Sequence, residues 1–126
     1  MIDHISVAVS DLAAAADFYE AVLGTLGFLK LDGHAATLGF GKRYPEFWIN
    51  HRPALKPLTS DCGAHVALRA PSIAAVEAFH AAALAAGGTS DGPPGWRPQH
   101  GERYYAAFVR DLDGNRIEAV TFIGEE

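Results

Sequence analysis

The chain has 126 residues, 49% of them hydrophobic and 20% charged, with a formal net charge of −5. This is the composition of a single globular domain, and its acidity argues against a nucleic-acid partner, which needs a basic patch. No apolar run reaches the roughly 20 residues that cross a bilayer, so no membrane partner is expected. Cys62 is the single cysteine, which excludes an intrachain disulfide and reads as a small buried or half-buried side chain. With no basic leader before the first strand, the expectation is a cytoplasmic protein.

Residues 2–9 alternate as a strand, with Ile5, Val7 and Val9 on one face and His4, Ser6 and Ala8 on the other. Ser10 or Asp11 offers an N-cap to "LAAAADFYEAVL". There Leu12, Ala15, Phe18, Tyr19, Val22 and Leu23 recur at helical spacing until Gly24 and Gly27 end the helix. Short strands are predicted around residues 28–31, 35–40 and 46–50. The pattern then restarts, with a strand over 64–70, a cap at Ser72 and an Ala-rich helix ending at Gly87-Gly88. A shift of 61 lays His4 on His65, Phe18 on Phe79 and Gly27 on Gly88. The repeat predicts one domain over 1–126 built from two β-α-β-β-β modules, 1–60 and 61–126. Helices then cover one face of each antiparallel sheet, an α+β fold.

The modules differ in one place. Laying Trp48 on Glu118 needs a shift of 70, so the second module carries about nine extra residues within "SDGPPGWRPQHGER". This Gly/Pro-rich stretch, with Trp96, Arg97, His100 and Arg103, reads as a lid or pocket wall, against the plainer reading of a long surface loop. The last strand follows the Asp113-Gly114 turn and holds Glu118 among Ile117, Ala119 and Val120. A carboxylate in an apolar strand is costly unless it has a partner.

Strand parity suggests the partner. Ile5, Val7 and Val9 pack under the first helix, Val66, Leu68 and Ala70 under the second, and Ile117 and Ala119 take the same side. His4, His65 and Glu118 are left facing the space between the sheets. Two imidazoles and a carboxylate on rigid strands make a divalent-metal ligand set with positions open for substrate. The bland alternative is a pair of hydrogen-bonded strand histidines, with Glu118 paired to Arg69 or Arg116.

The duplication, the opening "DHISVAVSDLAAAADFYEAVLG", the second-module "AHVAL" and the closing "RDLDGNRIEAV" resemble the vicinal oxygen chelate superfamily. Its members include glyoxalase I, fosfomycin-resistance transferases, extradiol dioxygenases, methylmalonyl-CoA epimerase and bleomycin-resistance proteins. The resemblance implies a cup-shaped, incompletely closed antiparallel β-barrel-like sheet with helices outside. It also implies one divalent metal ion (Zn, Fe, Mn, Ni or Co) on His4, His65 and Glu118, and a homodimer. Glyoxalase I and the epimerase carry a further Glu or Gln on the fourth strand. Here that position is Trp48, with Glu46 about 7 Å along the strand; an indole does not ligate, which argues against glyoxalase I activity.

The implied function is a metalloenzyme that chelates a small oxygenated substrate as a lyase or isomerase, dioxygenase or thiol transferase. Glu118 and either Tyr104 or Tyr105 are the catalytic candidates. Trp48, Arg97, His100 and Arg103 are the substrate-binding candidates, with His51 also near, and the arginines suggest an anionic substrate. Trp48 reads equally well as a core residue. The alternative function is a non-catalytic small-molecule-sequestering protein of the bleomycin-resistance type.

Overall fold

In the computed structural model, which describes residues 1–124, the Ile5-Val7-Val9 alternation forms β1 (Ile5–Val9), and α1 (Leu12–Gly24) follows. The first half continues as β2 (Leu29–His34), β3 (Thr37–Gly41) and β4 (Phe47–His51). The second half repeats the order with β5 (Val66–Arg69), α2 (Ile73–Ala85), β6 (Thr89–Trp96), β7 (Tyr104–Arg110) and β8 (Arg116–Phe122). Asp11 caps α1 by accepting from Ala14 N at 3.0 Å, and Ser72 caps α2 by accepting from Ala75 N at 3.1 Å.

The strands make two four-stranded sheets, ordered β1-β4-β3-β2 and β5-β8-β7-β6, with no closed barrel among the described residues. Both sheets are mixed, not antiparallel as expected, because β1 pairs parallel with β4 and β5 parallel with β8. The reason is topological. A helical crossover returns the chain in its original direction, and the two reversals β2–β3 and β3–β4 restore that direction in β4. Register also fixes the correspondence between halves: Ser6 lies beside Trp48, and Ala67 beside Glu118. Trp48 therefore occupies the position of Glu118.

The repeat slips by one residue at the helix ends. Gly27 (φ 86°) and Gly87 (φ 97°) hold the left-handed position. The following amides, Phe28 N and Gly88 N, reach back to Leu23 O at 3.1 Å and Ala83 O at 2.9 Å. Gly27 thus matches Gly87, not Gly88. Gly88 has a different duty, since a Cβ there would stand 2.6 Å from Arg110 O and 2.8 Å from Phe18 Cε2 of the other half. That approach lets α1 pack against the second half, and a single apolar core spans both, from Phe18, Val22 and Phe47 to Val76, Phe79 and Ile117.

A polar network fastens the halves together. Asp111, 6% exposed, accepts from Tyr19 OH at 2.6 Å through Oδ2. It also accepts from Asp113 N at 2.9 Å and Asn115 N at 2.8 Å through Oδ1. Asn115 Nδ2 donates to Asp111 Oδ2 and to Ala8 O, both at 2.9 Å. Asp113 in turn accepts from Ser10 N at 3.1 Å.

The expected loop before β7 is mostly strand. Residues 89–96 pair with β7 as an edge strand whose register shifts between Ser90 and Gly92 and between Gly92 and Gly95. Pro93 and Pro94 are tolerated there because a bulged edge strand needs fewer ladder donors. Only residues 97–103 remain as a connection. No helix among the described residues is long and apolar enough to cross a membrane.

Candidate metal and substrate site

Alternation along β8 puts Ile117 and Ala119 under α2 and sends Arg116, Glu118, Val120 and Phe122 to the opposite face. Glu118 is only 2% exposed, so its carboxylate must be satisfied by the protein. It is, from both sides. His65 Nε2 stands 3.1 Å from Oε1, and Tyr104 OH donates to Oε2. The tyrosine ambiguity is thereby resolved. Tyr104 lies on the Glu118 face, edge-on to Phe122 at 5.2 Å, while Tyr105 points under the helix, 8% exposed, with its OH 3.4 Å from Glu77 Oε2. Burial, the hydrogen bond to Glu118 and the charge of Glu118 push the Tyr104 hydroxyl up to about 12. It is therefore a standing donor at neutral pH.

His65 Nε2 and Glu118 Oε1 also suit a divalent ion. Donors at about 2.0–2.2 Å from one metal stand about 2.8–3.6 Å apart, from right-angle to tetrahedral geometry, and the separation here is 3.1 Å. His4 does not join this group within the chain; its Nδ1 pairs with Asp3 Oδ1 at 2.7 Å, an arrangement that leaves Nε2 for other partners. His4 and His65 do line one cavity of about 290 Å³ at the junction of β1 and β5, with Glu46 on its wall. Among the described residues, however, no three His, Cys, Asp or Glu side chains converge.

The remaining candidates divide. Arg97 stands over the Phe108 ring, 5.4 Å from its centroid, and is fixed by bonds to Pro93 O and Trp96 O. Phe108 is the cross-strand partner of Glu118, so Arg97 packs on a neighbour of the site. The His100 ring lies 5.1 Å from Tyr104. Arg103 is exposed beside the end of β8, its carbonyl accepting from Ile123 N at 3.0 Å. Trp48 is on the His4 face of the first sheet, where a Cβ on Gly39 would sit 2.8 Å from the indole; only glycine leaves room for the ring. His51 leaves the set, because it aligns with Val9 and contacts Ser10 O at 3.2 Å.

Other residues surround the site, among them Arg69 and Arg116, which the sequence offered as partners of Glu118. Arg69 lies over Phe122, 4.6 Å from the ring centroid. Asp91, Arg110 and Arg116 form an ion cluster next to His65. Arg116 stands two residues before Glu118 and shares its face, but its recorded partners are Asp91 and Ser60 O. Asp91 was hidden by the Gly/Pro pattern of β6.

Comparison with known proteins accords with this architecture. Residues 1–119 match the Glyoxalase/Bleomycin resistance protein/Dioxygenase superfamily model. A glyoxalase/bleomycin resistance protein from Albidiferax ferrireducens T118 is 36% identical, with a TM-score of 0.81 over 94% of this chain and 96% of that one. Two further crystal structures share the fold at lower identity. One is a glyoxalase/bleomycin resistance protein/dioxygenase family enzyme from Burkholderia phytofirmans PsJN, 18% identical, TM-score 0.72, covering 97% and 98% of the two chains. The other is the genomically encoded fosfomycin resistance protein FosX from Listeria monocytogenes, 18% identical, TM-score 0.68, covering 95% and 91%. No curated protein matches. With its repeated β-α-β-β-β order, its core and its match over nearly the whole length, the chain belongs to the glyoxalase/bleomycin resistance protein/dioxygenase superfamily.

Proposed function

We propose that the chain is a metal-dependent enzyme that binds a small oxygenated substrate through two neighbouring oxygens. The observation that carries this reading is a buried carboxylate, Glu118, paired with His65 on an open sheet face. His65 and Glu118 would hold one divalent ion (Zn, Fe, Mn, Ni or Co), with His4 as third ligand. Such an ion, when bound, supplies Lewis-acid stabilisation of the oxyanion or enolate that develops on the substrate. The chain's own residues do the rest. Tyr104 keeps its proton on Oη and holds the orientation of Glu118. Arg97, His100 and Arg103 offer donors to an anionic group, and Trp48 offers an aromatic wall. Because no three donors converge within the described residues, we assign His4 to a second copy, making a homodimer with cups shared between chains.

Metal analysis tests the core of this. Protein purified without chelator is expected to carry about one ion per His65–Glu118 pair, and His65→Ala to lose it. Equal and negligible metal in both proteins overturns the reading. Light scattering at micromolar concentration is expected to give the dimer mass, and a monomer mass counts against a shared site.

A sequestering function is the second reading, favoured by the indole of Trp48 at the position equivalent to Glu118. Ligand binding that survives metal removal would select it. A panel of α-ketoaldehyde–thiol adducts, catechols, epoxides and hydroxy acids, each assayed with and without metal, separates the two.

A further inference from the structure

Arg110 and Arg116 stand directly opposite each other in the β7–β8 ladder, a like-charge pairing that costs free energy. Among the described residues, Asp91 is the single acidic bridge between them. Its Oδ1 lies 3.3 Å from Nε and Nη2 of Arg110, and its Oδ2 lies 3.6 Å from Nε of Arg116. One carboxylate against two guanidiniums leaves the cluster with an excess positive charge. The three side chains are only 24%, 28% and 27% exposed for Arg110, Asp91 and Arg116, so that charge is partly desolvated. Arg116 is also anchored by a bond to Ser60 O. Its Nε is buried and has no hydrogen-bond partner among the described residues, because 3.6 Å is a Coulombic contact and too long for a hydrogen bond. An unused buried donor of this kind is costly, because it has lost its water and gained no partner. A cavity of about 160 Å³ opens beside the Arg116 side chain, walled by His65, Asp91, Phe108, Arg116 and Ile117; because Nε is closed off from solvent, an occupant would meet the guanidinium through its terminal nitrogens.

We propose that this cavity is an oxyanion pocket, in which Arg116 receives a carboxylate or phosphate-like group of the substrate. The pocket shares His65 with the proposed metal site, so the substrate's anionic end and its chelating oxygens would be held side by side. Arg116 is suited to this because a guanidinium offers planar, directional donors to an oxyanion. Asp91 then has two tasks, holding the opposed arginines together and weakening the pocket enough to release its occupant. The inference rests on the proposed function only for the statement that the anion belongs to the substrate.

The test is an NMR titration of the full-length protein, before and after chelator treatment, with phosphate and separately with acetate. The Ile117 amide and the His65 ring are the reporters. Arg43→Gln is the control, because it removes the same charge from an exposed turn. Arg116→Gln is expected to weaken anion binding about tenfold relative to Arg43→Gln, equivalent to about 1.4 kcal/mol. Asp91→Asn is expected to tighten it severalfold, whereas a purely structural ion cluster predicts no tightening. Saturation by both anions, or by one, upholds the pocket and names the oxyanion it prefers. Binding that is indifferent to both substitutions, or that vanishes with the metal, overturns it. Metal content is read in the same samples, so loss of the oxyanion pocket and loss of the metal site are separate outcomes.

Discussion

Asp111→Ala is expected to destabilise the protein by about 3–5 kcal/mol, the scale for orphaning a buried polar network. Asp111 is the common acceptor for Tyr19 OH, Asn115 Nδ2 and the amides of Asp113 and Asn115. Removing it strands the hydroxyl of Tyr19, a residue 1% exposed, and loosens the turn that holds Asn115 on Ala8 O. Tyr19→Phe removes one donor and leaves the acceptor served by three others, so it should cost only about 1 kcal/mol. Denaturant unfolding measures both, as a fall in midpoint at unchanged slope. Equal losses in the two variants would mean that the network is not organised around Asp111.

The same carboxylate gives a pH signature. Burial raises the Asp111 pKa above its ordinary 3.8, a shift only partly offset by the bonds from Tyr19, Asn115 and Asp113. In the window between 3.8 and the raised value, the folded state holds the proton more tightly than the unfolded state. Stability from this group therefore falls as pH rises through that window and is regained as pH drops. Asp111→Asn does not titrate, so the stability gap between wild type and this variant should widen from neutral to mildly acid pH. A gap that narrows would reverse the assigned sign.

How much of this was legible in the sequence depended on periodicity. Two-residue alternation was enough to place Glu118 and His65 on one face, and the repeat was enough to match Trp48 with Glu118, because both signals are local and survive packing. Sheet direction was less accessible, since parallel pairing of β1 with β4 follows from three connections taken together. Pro93, Pro94 and the glycines around them disguised β6, because edge strands with bulges carry turn-like composition. Tyr19 and Asp111 are 92 residues apart, and nothing in either neighbourhood announces the other. Arg116 was visible as a neighbour of Glu118, but its opposition to Arg110 needed the β7–β8 register.

Glu118→Gln is expected to leave the fold intact and lower divalent-metal affinity by at least about 100-fold, or about 2.7 kcal/mol at 1.36 per decade. An amide has the same shape and can still accept from Tyr104 OH through its oxygen while donating to His65 Nε2, so both bonds to the side chain survive. What is lost is the negative charge. A neutral amide is a weaker ligand for Zn, Fe, Mn, Ni or Co than a carboxylate. Turnover on any substrate found in the panel should fall with the metal. The melting temperature should hold or rise, because burying a neutral group costs less than burying an ion. Tyr104 does not complicate the comparison: its raised value of about 12 keeps its donor bond intact at neutral pH, and that contribution erodes only as pH climbs from 10 toward about 12. Wild-type metal affinity in a folded Glu118→Gln protein would move the metal away from this pair. It would leave Glu118 a buried acceptor for Tyr104 and His65 and nothing more.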